Sequence, residues 1–292
     1  MTERGSGISP AALRVLRKGG SLLSVYYALM SEYRSELLLW GVALVLPLIM
    51  MGLWLEAGEA GATPLTTVET ARYFLAAFAV RQFLAVWVIY EFEYNLVTGR
   101  LSPLLLQPID PVWRFVSMHF AEWGARIPFA LVVAAVAAAA VPEAITGNEQ
   151  TPGGWRPEAW RWAAGAGLAG LAFLTRFVLQ YTVAMLGFWQ ERVHALDLVV
   201  ELPFLFLSGV LFPLEVLFQS EHAVMRAVGE VAMATPFPYM LWLPAQVFAG
   251  AEFTANEIGR GFAVLAAWLV GVGLLNRLLW RRGLRRYSAM GA

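Results

Sequence analysis

The 292-residue chain contains no cysteine, a single lysine and only three histidines. The absence of cysteine excludes disulfides, thiol catalysis and thiolate metal sites. The one lysine, Lys18, follows no phosphate-cradling loop, so the chain itself cannot bind ATP in the P-loop manner. His119, His194 and His222 are far apart and none has a second ligand at i+3 or i+4, so we expect no metal site. No nucleophile and base occur in a catalytic pattern, so we do not expect an enzyme.

Charged residues are also scarce, at 14% of the chain, against about 25% in soluble domains. Hydrophobic residues make up 59%, and the mean hydropathy is +0.61. The formal net charge is zero, which indicates no nucleic-acid partner. This composition predicts an all-α polytopic membrane protein.

Long apolar runs are the main feature that the sequence does have. A spanning helix needs about 20 mostly apolar residues. Six segments meet that requirement, and tryptophans at several of their ends fit an interfacial belt. The six predicted transmembrane helices are residues 37–55, 73–94, 115–141, 162–187, 198–217 and 262–280. We therefore predict a single transmembrane domain over 1–292, with an N-terminal region 1–36, six spans within 37–280 and a basic tail 281–292.

The N-terminal region has apolar residues at helical spacing, namely Leu13, Leu16, Leu23, Tyr27 and Met30. The basic residues and serines of this region lie elsewhere. This pattern is typical of an amphipathic helix in the headgroup plane, and an ordinary packed helix is the alternative.

Arginine placement predicts the orientation. With a cytoplasmic N-terminus, the cytoplasmic face holds Arg4, Arg14, Arg17, Lys18, Arg34, Arg100, Arg114, Arg192, Arg277, Arg281, Arg282, Arg285 and Arg286. The opposite face holds Arg72, Arg156, Arg161, Arg226 and Arg260, among many glutamates. The positive-inside bias therefore places both termini in the cytoplasm, as an even number of spans requires.

The stretch before the last span, residues 231–250, is apolar but contains Pro236, Pro238 and Pro244. Prolines interrupt a continuous helix, and broken backbone at membrane depth is tolerated only against protein or a cavity. We predict two short helices that enter the outer leaflet and return, a re-entrant hairpin. A seventh and an eighth full span are the alternative.

Between the second and third spans lies a compact segment, residues 99–108, bounded by helix-ending signals. Its residues are Gly99, Arg100, Leu101, Ser102, Pro103, Leu104, Leu105, Leu106, Gln107 and Pro108. Gly99 ends one helix and Ser102-Pro103 is a good N-cap and first-turn pair for another. We expect a short helix that presents Leu104, Leu105 and Leu106 to the cytoplasmic surface. Such an apolar knob needs a cover, either lipid headgroups or a docked protein.

Charges within the predicted spans are the other unusual feature. Arg81, Arg126 and Arg176 lie near the middle of spans two, three and four, with Glu122 and Glu201 also at membrane depth. Charges there are costly and face protein or water. Glu122 and Arg126 are four residues apart and could pair on one helical face. The alternative is a polar path through Arg81, Glu122, Arg126 and Arg176 that attracts an anionic part of a cargo.

"GRLSPLLLQPIDP" between two spans, and "TPFPYMLWLPAQVFAG" before the last span, resemble landmarks of the ABC type-2 transporter permease family, in an uncharacterised bacterial exporter branch. The resemblance covers essentially the whole chain. It implies a subunit of the bacterial inner membrane that pairs with a second permease chain, identical or related. It also implies separate ABC ATPase subunits that carry ATP and Mg, with the 99–108 segment as the ATPase-coupling helix.

A different class stays open from the residues alone. A stand-alone secondary transporter, or a membrane scaffold, would have no ATPase partner. A secondary transporter usually shows two related halves and a buried carboxylate for ion coupling. No clear internal repeat is visible here, and the re-entrant hairpin has no counterpart in the first half.

Overall fold

A computed structural model describes residues 10–32, 44–59, 61, 63–190 and 192–287. Within these ranges the chain is all-helical, without a strand. The α-helices, in chain order, are α1 Pro10–Glu32, α2 Leu46–Glu59, α3 Thr67–Leu84, α4 Val88–Val97, α5 Leu101–Leu105, α6 Pro111–Ala140, α7 Glu143–Thr146, α8 Ala159–Ala184, α9 Leu198–Leu207, α10 Glu215–Phe218, α11 Ala223–Met233, α12 Phe237–Met240, α13 Trp242–Ala249 and α14 Ala255–Arg286. Two 3₁₀ helices, Met185–Phe188 and His194–Asp197, complete the set.

Four helical segments are long and apolar enough to cross a membrane. They are Thr67–Val97, Pro111–Ala140, Ala159–Phe188 and Ala255–Arg286, each 30 to 32 residues long. They correspond to the predicted spans two, three, four and six. The four segments indicate a membrane protein, as the composition predicted.

The predicted first and fifth spans do not form helices of spanning length in the described part of the chain. In the first, α2 is apolar but has 14 residues, and residues 37–43 lie outside the described ranges. In the fifth, α9 has ten residues and ends before Gly209, whose φ is +88°. A left-handed residue cannot continue a right-handed helix. The count of six spans therefore stays a prediction.

The proline-containing stretch forms two short helices, α12 and α13, both buried in the bundle. Pro236 precedes α12, while Pro238 and Pro244 lie in the first turns of α12 and α13. Proline is tolerated there because first-turn N–H groups have no partner within the helix. The broken backbone was predicted correctly, whereas entry into the outer leaflet stays a prediction.

Three of the long helices begin after residues whose side chains cap the helix N-terminus. Thr66 with Glu69 and Thr254 with Glu257 form capping boxes at α3 and α14. Asp110 caps α6 by accepting from the N–H of Val112 at 3.0 Å. The core forms where α3, α8, α13 and α14 pack together around buried aromatic and aliphatic side chains.

The N-terminal helix α1 lies along α6. It still exposes Leu23, Val25 and Tyr27 by 40%, 66% and 51%. Exposed apolar side chains on a packed helix are compatible with the headgroup plane, which stays a prediction for α1. Arg4, Arg34 and residues 288–292 of the basic tail lie outside the described ranges.

Candidate functional site

The second spanning segment is broken at residues 85–87, between α3 and α4. A break frees backbone N–H and C=O groups, which need partners at membrane depth. Here side chains of α6 supply them. His119 Nε2 accepts from the N–H of Trp87 at 3.0 Å, and Arg126 donates to the carbonyl of Gln82.

His119 is held in one neutral form by its two contacts. Because Nε2 accepts from a backbone N–H, Nδ1 carries the proton and donates to the carbonyl of Phe115 at 2.7 Å. The ring is completely buried and packs against Phe173 and Phe177. His119 is therefore a structural residue of the break.

We expect His119→Leu to lower the free energy of unfolding by about 1–3 kcal/mol, because the N–H of Trp87 would lose the acceptor that the imidazole provides. His119→Gln, whose amide oxygen can accept, should recover part of that loss. Thermal unfolding of the purified variants in detergent measures both. Equal stability of His119→Leu and the parent chain would contradict this role.

Glu122 and Arg126 form the ion pair that their spacing predicted, and both are buried, at 3% and 2% exposure. Glu122 also accepts from the indole N–H of Trp87 at 2.6 Å. Together with the bond from Arg126 to Gln82, the pair fastens both sides of the break to α6.

A cavity of about 720 Å³ opens beside this break, and we name it the arginine cavity. Its walls come from α1, the end of α3, the break at residues 85–87, α4, α6, α8, the 3₁₀ helix His194–Asp197 and α9. Its polar lining consists of Arg81, Glu91, Glu122, Arg176, Asp197 and Glu201, and its apolar lining includes Leu29, Met30, Leu84, Met118 and Phe204. Its volume is within the range of about 300–1,000 Å³ usual for small-molecule sites.

Arg81 and Arg176 lie close to the same aromatic ring in this cavity. The guanidinium carbon of Arg176 lies 3.9 Å from the centroid of Phe204, and that of Arg81 lies 5.7 Å from it. Arg176 forms an ion pair with Glu201. Arg81, by contrast, has no carboxylate within ion-pair distance among the described residues.

Asp197 and Glu201 are placed by the connection that precedes α9. Glu93 on α4 accepts from the backbone N–H groups of Val193 and His194, both at 2.6 Å, which fixes the 3₁₀ helix His194–Asp197. Gln180 then donates to Asp197 at 2.9 Å and to Glu201 at 3.1 Å. Asp197 lies outside the four spanning segments, and burial, reinforced by the Glu201 charge, raises its pKa to about 6.

The 99–108 segment forms a turn and then the short helix α5. Gly99 makes the turn with a φ of +71°, a conformation that glycine adopts without steric cost. The helix begins at Leu101, with Arg100 in the N-cap position, and not after Ser102 as we expected. The Ser102 hydroxyl instead forms a hydrogen bond of 3.0 Å with the hydroxyl of Tyr287, beyond the end of α14.

The leucines of this segment differ in exposure. Leu101 is completely buried, Leu104 and Leu105 are half-buried, and Leu106 is 88% exposed. The expected apolar knob therefore reduces to Leu106, with parts of its two neighbours. Pro103, Gln107 and Pro108 are exposed around it.

The structure groups the predicted site residues into three places. Arg81, Arg176 and Glu122 line the arginine cavity, while Arg126 lies behind Glu122. The 99–108 segment and the prolines of α12 and α13 lie elsewhere. Sequence reasoning missed His119 and Asp197, whose partners are distant in the chain or belong to the backbone.

Among the described residues, no three histidine, aspartate or glutamate side chains converge as a metal centre would require. Comparisons with protein-family models, curated proteins and solved structures find no match for this chain. The function is therefore inferred from two features of the molecule itself, the arginine cavity and the exposed 99–108 segment.

Proposed function

We propose that the chain is the permease subunit of an ATP-driven ABC exporter in the bacterial inner membrane. It pairs with a second permease chain, identical or related, and both termini face the cytoplasm. Separate cytoplasmic ATPase subunits hold ATP and Mg and drive movement of a cargo. The 99–108 segment is the surface that docks on the ATPase.

The observation that carries this proposal is the exposure of Leu106. It directly follows the five-residue helix α5, which lies between two spanning segments, where the chain could have used a polar turn. A large apolar side chain that is 88% exposed gains by burial in a partner. A single short helix, bounded by a glycine turn and Pro108, is suited to docking in a groove on a cytoplasmic ATPase.

Contacts of α5 with the bundle support its role as a transmitter. Its first leucine, Leu101, is completely buried in the core. The hydroxyl contact of Ser102 with Tyr287 joins it to the last spanning helix, and the Arg100 guanidinium lies 5.0 Å from the ring centroid of Tyr94 on α4. A displacement of α5 would therefore be transmitted to both the second and the last spanning segments.

The decisive test is Leu106→Asp in the tagged chain expressed from its native genetic context. An aspartate buried without a partner is strongly disfavoured, so recovery of an ATPase subunit should fall about tenfold or more. Native mass spectrometry after mild-detergent purification, with identification of a P-loop in the co-purifying chain, measures this. Leu106 is almost fully exposed, so the variant should still insert and remain monodisperse.

Val224→Asp is the matched control. Val224 is a 75% exposed apolar residue on α11, on the opposite face in the predicted orientation, and its replacement should leave ATPase recovery unchanged. Undiminished recovery with Leu106→Asp would refute docking through the 99–108 segment. A parent chain that purifies with no ATPase at all would favour the stand-alone transporter.

A further inference from the structure

We propose that the arginine cavity binds an amphiphile with one apolar chain and an anionic head, a carboxylate or a phosphate, held by Arg81 and Arg176. This inference rests on the proposed function, because it assigns the cargo class of the exporter. It is nonetheless tested on the isolated chain, without any ATPase.

Unused hydrogen-bond donors point to an anionic group. In the described structure, Nε and Nη1 of both Arg81 and Arg176 are buried without a partner. The Arg176 side chain is only 6% exposed. Buried donors are normally satisfied, and guanidinium groups prefer the oxygen pairs of carboxylate and phosphate. An oxyanion between the two arginines would supply the missing acceptors.

The carboxylates of the cavity already accept hydrogen bonds from side chains, Glu91 from the Asn95 amide at 3.5 Å, which disfavours a cationic ligand. Glu201 accepts from Arg176 and Gln180, and Glu122 accepts from Arg126 and Trp87. Asp197 accepts from Gln180 at 2.9 Å. Each of the two ion pairs is locally neutral. Arg81 has no carboxylate within ion-pair distance in the described residues, whereas Glu91 and Asp197 have no cationic partner there.

The apolar part of the cavity lining is the reason for proposing an apolar chain in the ligand. Leu29 and Met30 on α1, Leu84 before the break, and Met118 on α6 form walls without hydrogen-bonding groups. Methionine side chains adapt to flexible apolar ligands. A free inorganic anion would leave these walls in contact with water, whereas an alkyl chain would cover them.

Binding of dodecyl phosphate and laurate to the purified chain in zwitterionic nanodiscs tests the proposal, with empty nanodiscs as background. We expect saturable binding of both anions, and binding of dodecanol and dodecyltrimethylammonium that is weaker by about tenfold or more. Arg81→Gln should weaken anion binding by a similar factor. The double variant Arg176→Gln/Glu201→Gln removes a complete ion pair, and should also weaken it.

Arg260→Gln is the matched control, since Arg260 is exposed at the start of α14, away from the cavity lining. Unchanged anion binding by monodisperse Arg81→Gln would overturn the proposal, as would equally tight binding of dodecanol or of the cation. Displacement by inorganic phosphate as effective as by dodecyl phosphate would identify a free-anion site and overturn the amphiphile. Leu106→Asp should leave this binding intact, so failure of ATPase docking and failure of the cavity assignment are distinguishable.

Discussion

Replacing Arg126 by methionine is expected to destabilise the chain by about 3–5 kcal/mol, because it strands the buried carboxylate of Glu122. The same change removes the donor to the carbonyl of Gln82 at the helix break. Two buried groups thus lose partners at once. Thermal unfolding in detergent, followed by size-exclusion chromatography, measures the loss.

The double variant Glu122→Gln/Arg126→Met separates charge from packing. Without the carboxylate, no charge remains stranded, so we expect it to be clearly more stable than Arg126→Met alone. The amide introduced by Glu122→Gln would keep an oxygen acceptor for the indole N–H of Trp87. If the double variant is no more stable than the single one, the ion pair is not what makes Arg126 necessary.

Gly209→Ala is the second change with a large expected effect. Gly209 has a φ of +88°, and an added Cβ would lie 2.4 Å from the hydroxyl oxygen of Tyr73. That hydroxyl donates to the carbonyl of Gly209 at 2.6 Å, inside the core. Backbone strain of about 1–2 kcal/mol adds to a lost buried hydrogen bond of about 1–3 kcal/mol. We therefore expect a loss of about 2–5 kcal/mol in the free energy of unfolding.

Gly170→Ala provides the comparison for this prediction. Gly170 is helical, and an added Cβ there would meet nothing within 4 Å. Alanine in place of a helical glycine is neutral or stabilising by about 0.5–1 kcal/mol. Similar melting temperatures for Gly209→Ala and Gly170→Ala would show that the turn after α9 tolerates a side chain.

Local signals in the sequence predicted the parts of the fold that depend on neighbouring residues. The i, i+4 spacing of Glu122 and Arg126 predicted their ion pair, and four of the six apolar runs predicted as spans form helical segments of spanning length. The prolines predicted the break between α12 and α13. Each of these features depends on residues that are close in sequence, so hydrophobic periodicity and residue type are enough to predict it.

The break at residues 85–87 has no such signal. The sequence there is Ala85-Val86-Trp87, without the glycine or proline that usually marks an interruption. His119, which compensates for it, lies 32 positions away and binds a backbone N–H, so no pairing of side chains reveals it. Likewise Arg81 and Arg176 were predicted at membrane depth, but only the packing of α9 brings both against Phe204.

The break at residues 85–87 also determines how far the end of α4 would move if α4 rotated about it. The ten residues of α4 span about 15 Å, so a swing of about 10° at the break would move the far end of α4 by about 3 Å. The pivot forms a wall of the arginine cavity, and the moving end leads through Gly99 into α5. Because side chains of α6 satisfy the backbone at the pivot, such a swing strains no hydrogen bond within α3 or α4. A change in the width of the cavity would then be coupled to a displacement of the exposed Leu106, because α4 connects the two as one rigid helix.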